Sequence, residues 1–185
     1  MNFKSWWTSR IPQFQEIIPV YAVIVSLVYG WTLLHFFWKL PSWLYFLTVN
    51  EILYLLAYAL FVNFLESTVV VFFILALCLI LPVSFLRQKF TARGSALVLS
   101  LLFWIGYFDV MSSMPAYVSP YIAAWELYVI ISVPAFIFIV GRFPVIEQIV
   151  TTISDRLIIF LYIMIPASLI AGGIVLIHLL LSAAG

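Results

Sequence analysis

Apolar residues run along this chain in long unbroken blocks, and a few polar positions divide them. A helix needs about 20 apolar residues to cross a bilayer. Six stretches meet or approach that length: Ile17 to Trp38, Trp43 to about Asn63, about Thr68 to Leu86, Ala96 to about Asp109, about Ile122 to Val140, and Leu157 to about Ala183. The short alternation of a membrane barrel strand is missing, and an open strand could not satisfy its backbone in lipid. The pattern therefore predicts an all-α, polytopic membrane helical bundle of about six transmembrane helices. Residues 1–185 form one transmembrane domain, with 1–16 as an interfacial tail and 17–183 as the bundle.

A different pattern occupies residues 144–156. Val145, Ile146, Ile149, Val150 and Ile153 fall on one helical face, while Glu147, Gln148, Thr151, Asp155 and Arg156 fall on the others. That predicts one amphipathic helix lying on the membrane surface, with Pro144 suited to its first turn. Phe3, Trp6, Trp7 and Phe14 form a similar stripe in the tail, and Trp6, Trp7 and Trp43 suit the headgroup zone. Pro82, Pro134 and Pro166 fall inside predicted spans, where each removes a backbone hydrogen bond. Ala167, Ser168, Ala171 and Gly172 bring small residues to a four-residue spacing in the last span, which favours close helix packing. A hinge at Pro166 and Gly172–Gly173 is the alternative.

Composition strengthens the membrane reading. Of 185 residues, 66% are hydrophobic, 18% aromatic and only 8% charged. Mean hydropathy is +1.24. A soluble domain carries about a quarter charged residues. The net charge of +1 offers no basic surface for nucleic acid. The lone cysteine, Cys78, lies in an apolar run and reads as a small buried hydrophobe. The first apolar run is too long for a signal peptide and reads as a retained span. With six spans, Lys39, Arg87, Lys89, Arg93, Arg142 and Arg156 fall on one side, against Lys4 and Arg10 on the other. The positive-inside rule then puts both termini outside a multi-pass protein of the cell membrane. The basic, aromatic segment "MNFKSWWTSRIPQFQE" pulls the other way, since it suits a cytoplasmic interface.

The acids are few, and depth decides what each means. Counting from Trp43 puts Glu51 about 12 Å down a helix, near mid-membrane. A carboxylate there must be protonated, paired or facing water. Asn50 adjoins it, and Tyr58 and Glu66 share its approximate face. Glu66, Asp109 and Glu126 fall near span ends, on the outer side with His178. The loop "VMSSMPAYVSPY" would cover that mouth. An acidic vestibule with one deep carboxylate suits a cation, a proton or a cationic small molecule. The candidate substrate-binding residues are thus Glu51, Asn50, Tyr58, Glu66, Asp109 and Glu126. The bland alternatives are a hydrogen-bonded carboxylic acid at Glu51 and dipole-favoured acids at helix ends elsewhere.

The chain carries no HExxH, CxxC, GxSxG, phosphate loop or dinucleotide turn, so an enzyme is the less favoured class and no metal or cofactor is expected. His35 and His178 lie near opposite membrane surfaces, which disfavours a shared haem. No motif assigns a family. The alanine-spaced first helix of the substrate-binding subunits of energy-coupling-factor vitamin transporters is missing from "IIPVYAVIVSLVYGWTLLHFFW". The histidine–cysteine pair of quorum-sensing peptide-processing membrane proteases is missing too. The favoured function is binding or passage of a small solute or cation through the bundle, as a transporter or transporter subunit. The alternatives are a non-catalytic subunit or assembly factor of a larger membrane complex, and an intramembrane lipid- or polyprenol-modifying enzyme. Expected partners are the lipid bilayer and a membrane-protein partner or second copy.

Overall fold

The computed structural model describes residues 10–83, 85–112 and 125–184. Their regular structure is wholly helical: α1 (Phe14–Trp43), α2 (Val49–Ile80), α3 (Phe90–Ser112), α4 (Trp125–Arg142) and α5 (Pro144–Ala184). All five are long and apolar enough to cross a membrane. The chain is a multi-pass helical membrane protein. Phe3, Trp6, Trp7 and most of the loop from Val110 to Tyr121 lie outside the described residues.

Five such helices stand where six spans were expected, because the second and third are one. α2 runs 32 residues without a break, through the polar positions Asn63, Glu66, Ser67 and Thr68 that had suggested a loop. The helix survives because most of these groups find partners inside the bundle. Asn63 is 3% exposed. Its Oδ1 accepts from Thr32 Oγ1 on α1 at 2.9 Å. Ser67 and Thr68 hydroxyls donate back to the Phe64 carbonyl at 3.1 and 2.7 Å. Thr68 also meets the Tyr21 hydroxyl at 3.3 Å. A serine or threonine that bonds its own helix hides its polarity from lipid.

Residues 144–156 do not form a separate surface helix. They are the first turns of α5, which continues for 41 residues. The expected apolar face packs only in part: Val150 packs with Ala92, Ala96 and Val140, with Ile146 beside them, while Val145, Ile149 and Ile153 are 70, 53 and 49% exposed. Ser154 is buried and donates to Ser95 Oγ at 2.9 Å. Helix α3 therefore begins at Phe90 rather than at Ala96, its first turns being covered by α5. Pro82 lies beyond the end of α2, in the connection to α3, whereas Pro134 and Pro166 sit inside helices. At 1.5 Å per residue α2 is about 48 Å long and α5 about 62 Å, so both overrun a hydrocarbon core of about 30 Å. Their ends reach the polar interface, or the helices tilt.

The two ends of the bundle differ. At one end the first half of α1, the last half of α2 and the starts of α3 and α5 pack densely, around Val20, Ile24, Ile74, Cys78, Phe90 and Val98. Charged contacts ring this end. Both Glu16 carboxylate oxygens accept from Arg87, at 3.1 and 2.9 Å. Lys89 pairs with Glu147. Arg93 donates to the Phe85 carbonyl at 3.1 Å, and a Cβ on Gly141 would run into its guanidinium. Arg10 donates to the Leu79 carbonyl. Arg142 closes α4 at the same end. Lys39, near the end of α1, is the only described basic residue at the opposite end. Among the described residues, the start of α1 lies at the basic end and the end of α5 at the opposite one, which does not fit the expectation that both termini lie on one side.

Small residues bring α5 onto α1 and α2. Ser168, Ala171 and Gly172 are buried, and Ser168 Oγ lies 2.7 Å from the Tyr29 hydroxyl. A Cβ on Gly172 would sit 2.6 and 2.8 Å from ring carbons of Phe61, while one on Gly173 would meet nothing within 4 Å. Gly172→Ala is therefore expected to destabilise the fold by about 1–3 kcal/mol through overpacking. Gly173→Ala should be neutral or stabilise by up to about 1 kcal/mol, as usual for an unobstructed helical glycine. Thermal unfolding of the two variants in detergent checks this, and equal effects would discount the packing role.

Candidate functional site

Helix boundaries reassign the depth of Glu51 and Glu66. Trp43 ends α1 and the chain turns before Val49, so Glu51 lies in the first turn of α2. It closes a capping box. The Thr48 N–H and hydroxyl donate to Glu51 Oε2 at 2.7 and 2.8 Å, and the Glu51 N–H donates to Thr48 Oγ1 at 3.4 Å. The carboxylate satisfies helix-start donors and favours the helix dipole. Mid-membrane depth for Glu51 is thus corrected. Asn50 and Tyr58 are both exposed. Asp109, near the end of α3, and Glu126, in the first turn of α4, are exposed at that same end, opposite the basic one.

Glu66 takes the mid-helix position, where its side chain is exposed on the flank of the bundle. It lies about 26 Å along α2 from Val49 and about 21 Å from Ile80, at 1.5 Å per residue. It faces a cavity of about 670 Å³ bounded by α1, α2 and α3. Trp31 and Thr32 contribute from α1, and Phe103, Gly106 and Tyr107 from α3, with aliphatic side chains filling the remaining wall. The cavity runs from Leu27 and Leu99 to Met111, from mid-bundle toward the end that carries Asp109 and Glu126. Glu66 has no hydrogen-bond or ion-pair partner among the described residues.

Polar groups next to the cavity are incompletely paired. Thr32, which lines it, holds the buried Asn63, but Asn63 Nδ2 has no hydrogen-bond partner among the described residues. Flipping the amide would exchange which atom is paired and still leave one without a partner. Ser26 Oγ on α1 is another buried orphan among the described residues. Native proteins rarely leave such groups unsatisfied.

A second cavity, of about 550 Å³, lies between the start of α2 and the end of α5. Asn50, Glu51, Tyr54 and His178 line it, and the Tyr54 and His178 rings stand 4.3 Å apart. Its only acid among the described residues is already engaged by Thr48, so it holds no uncompensated charge. The described residues contain no group of three or more side chains placed to hold a metal ion.

Of the expected site residues, the structure gathers Asn50 with Glu51 at the second cavity and leaves Glu66 in the first. Tyr58 lines neither cavity, nor do Asp109 and Glu126. Trp31, Thr32, Asn63 and Tyr107 were not anticipated. Two signals for the true arrangement stand in the chain: Thr48-x-x-Glu51 has the capping-box spacing, and Asn63, Glu66 and Ser67 share one face of an unbroken helix.

Thr32→Val alone should cost about 1–3 kcal/mol, because it leaves the Asn63 amide wholly unpaired. Adding Asn63→Leu should recover most of that loss, since both polar groups are then gone. Unfolding midpoints of the two single variants and the double variant check the coupling, and simple additivity would discount it.

Compared with protein-family models, with curated proteins and with solved structures, the chain returned no match, so the reading of this cavity rests on its own residues.

Proposed function

We propose that this protein captures or passes a positively charged solute within the cavity between α1, α2 and α3, with Glu66 as the counter-charge. The observation that carries the reading is a carboxylate at mid-helix depth, facing a cavity, with no partner among the described residues. A charge at that depth costs about 2.5–3.5 kcal/mol on insertion scales, and a bound cation or proton removes most of the penalty. Asp109 and Glu126 at the cavity's far end favour the approach of cations, and the basic belt lies at the opposite end. Asn50 and Glu51 belong to the outer rim on this reading, and Tyr58 faces the surroundings of the bundle.

The positive-inside rule turns the basic end toward the cytoplasm. The start of α1 is then inside, the end of α5 outside, and the acids face outward in a cell membrane. Transport fits this arrangement; a carrier subunit that delivers its solute to a partner protein fits it equally.

Two measurements test these statements. Purified protein in lipid nanodiscs should bind at least one of rubidium, tetraethylammonium and tetraphenylphosphonium saturably. Glu66→Gln should weaken that binding by about 30-fold or more, the scale of removing the counter-charge from a site surrounded by lipid rather than water, while Glu51→Gln leaves it unchanged. Absence of saturable binding across the panel, or indifference to Glu66→Gln, would overturn the reading. For orientation, Ser42→Cys and Gln88→Cys are placed separately in a Cys78→Ala background. A membrane-impermeant maleimide should label the first in intact cells and the second only after permeabilisation; the reverse outcome would invert the topology.

A further inference from the structure

Resting on the cation reading of the Glu66 cavity, we infer that its occupant is a lipophilic organic monocation, of quaternary-ammonium or phosphonium type, that reaches it sideways from the bilayer.

The wall chemistry selects against a small inorganic ion. Such an ion keeps its hydration shell unless several oxygens replace it. Among the described residues the lining side chains offer oxygen only at Glu66, Thr32 and Tyr107, and the helical carbonyls of the walls are engaged in their own helices. A volume of about 670 Å³ lies in the range of small-molecule pockets. Trp31, Phe103 and Tyr107 put aromatic rings into the wall, and a large, weakly hydrated cation gains from such faces where an alkali ion would first lose its water. Among the described residues the only charged side chain in that lining is Glu66, which matches a single positive charge with an apolar body.

Access is lateral because the flank of the cavity is unroofed. Its lining residues Trp31, Phe103 and Ile105 are 48, 66 and 60% exposed. They lie in the stretch of α1 and α3 that crosses the hydrocarbon, so what they meet there is acyl chain. A cation that already partitions into lipid would pass between α1 and α3 to Glu66 without crossing a polar mouth.

Nanodisc binding of radiolabelled tetraphenylphosphonium, with rubidium and tetraethylammonium as competitors, tests this. Tetraphenylphosphonium should bind at one site per chain, about 100-fold or more tighter than rubidium. Trp31→Leu should weaken it about 5- to 30-fold, the range for a desolvated cation–π contact, and leave rubidium unaffected. Glu66→Asp, which keeps the charge, should retain binding within about tenfold, whereas Glu66→Gln should not. Glu66-dependent rubidium binding that tetraphenylphosphonium fails to displace would overturn this inference and leave the cation reading standing. Uptake insensitive to both Glu66→Gln and Trp31→Leu would mean partition into lipid and overturn it as well. Failure of every cation to bind would remove both.

Discussion

The side-chain hydrogen bonds on the inner faces of the helices, Thr32 to Asn63, Tyr29 to Ser168, Ser154 to Ser95 and Trp104 to Ser132, set how each helix is turned about its own axis. Hydrophobicity cannot do this here. The helices are apolar all round, and a leucine gains little by leaving acyl chains for another leucine. A polar side chain has a strong preference, since lipid offers it no partner. Each such pair therefore acts as a rotational key, and small residues beside the keys let the backbones approach. Ser168, Ala171 and Gly172 do so for α5, and Gly94 does so for α3 against Val20.

The keys do not fill the molecule evenly, and the site follows from that. At the basic end, ion pairs and a dense apolar cluster tie α1, α3, α4 and α5 to the connection between α2 and α3. Toward the other end, α1, α2 and α3 diverge around aromatic side chains and leave the cavity that Glu66 faces. Anchoring at one end supplies the rigidity that a cavity needs at the other, where loose helices would otherwise close on the void. The cost of a mid-depth carboxylate is then tolerable only because the neighbouring helices leave it room and a place for a partner.

Glu51 and Glu66 illustrate how position determines what an acid does. Both are glutamates on the same helix, about four turns apart. Glu51 sits where four backbone N–H groups lack helical partners, and it is absorbed by that need. Glu66 sits where every backbone group is already bonded, so its charge is left over. An uncompensated charge is what a binding site requires, and a capping charge is spent on the fold.

Composition and hydrophobic run length decided the solvent, the helical class and roughly where most helices lie, because lipid imposes those through local sequence alone. They also restricted the candidate acids to a handful. The capping box at Thr48 and Glu51 was legible as well, being local in spacing. The joining of the second and third apolar runs into one helix was not, because Asn63 to Thr68 reads like a loop unless Thr32 and Tyr21 are known to stand opposite. Nor was the joining of residues 144–156 to the last span, with Ser154 buried against Ser95. Those partners are distant in the chain: Tyr29 and Ser168 are 139 residues apart, Ser95 and Ser154 59. Only the assembled bundle brings them together, and so only the tertiary structure decided that Glu66, rather than Glu51, carries the unmatched charge beside a cavity.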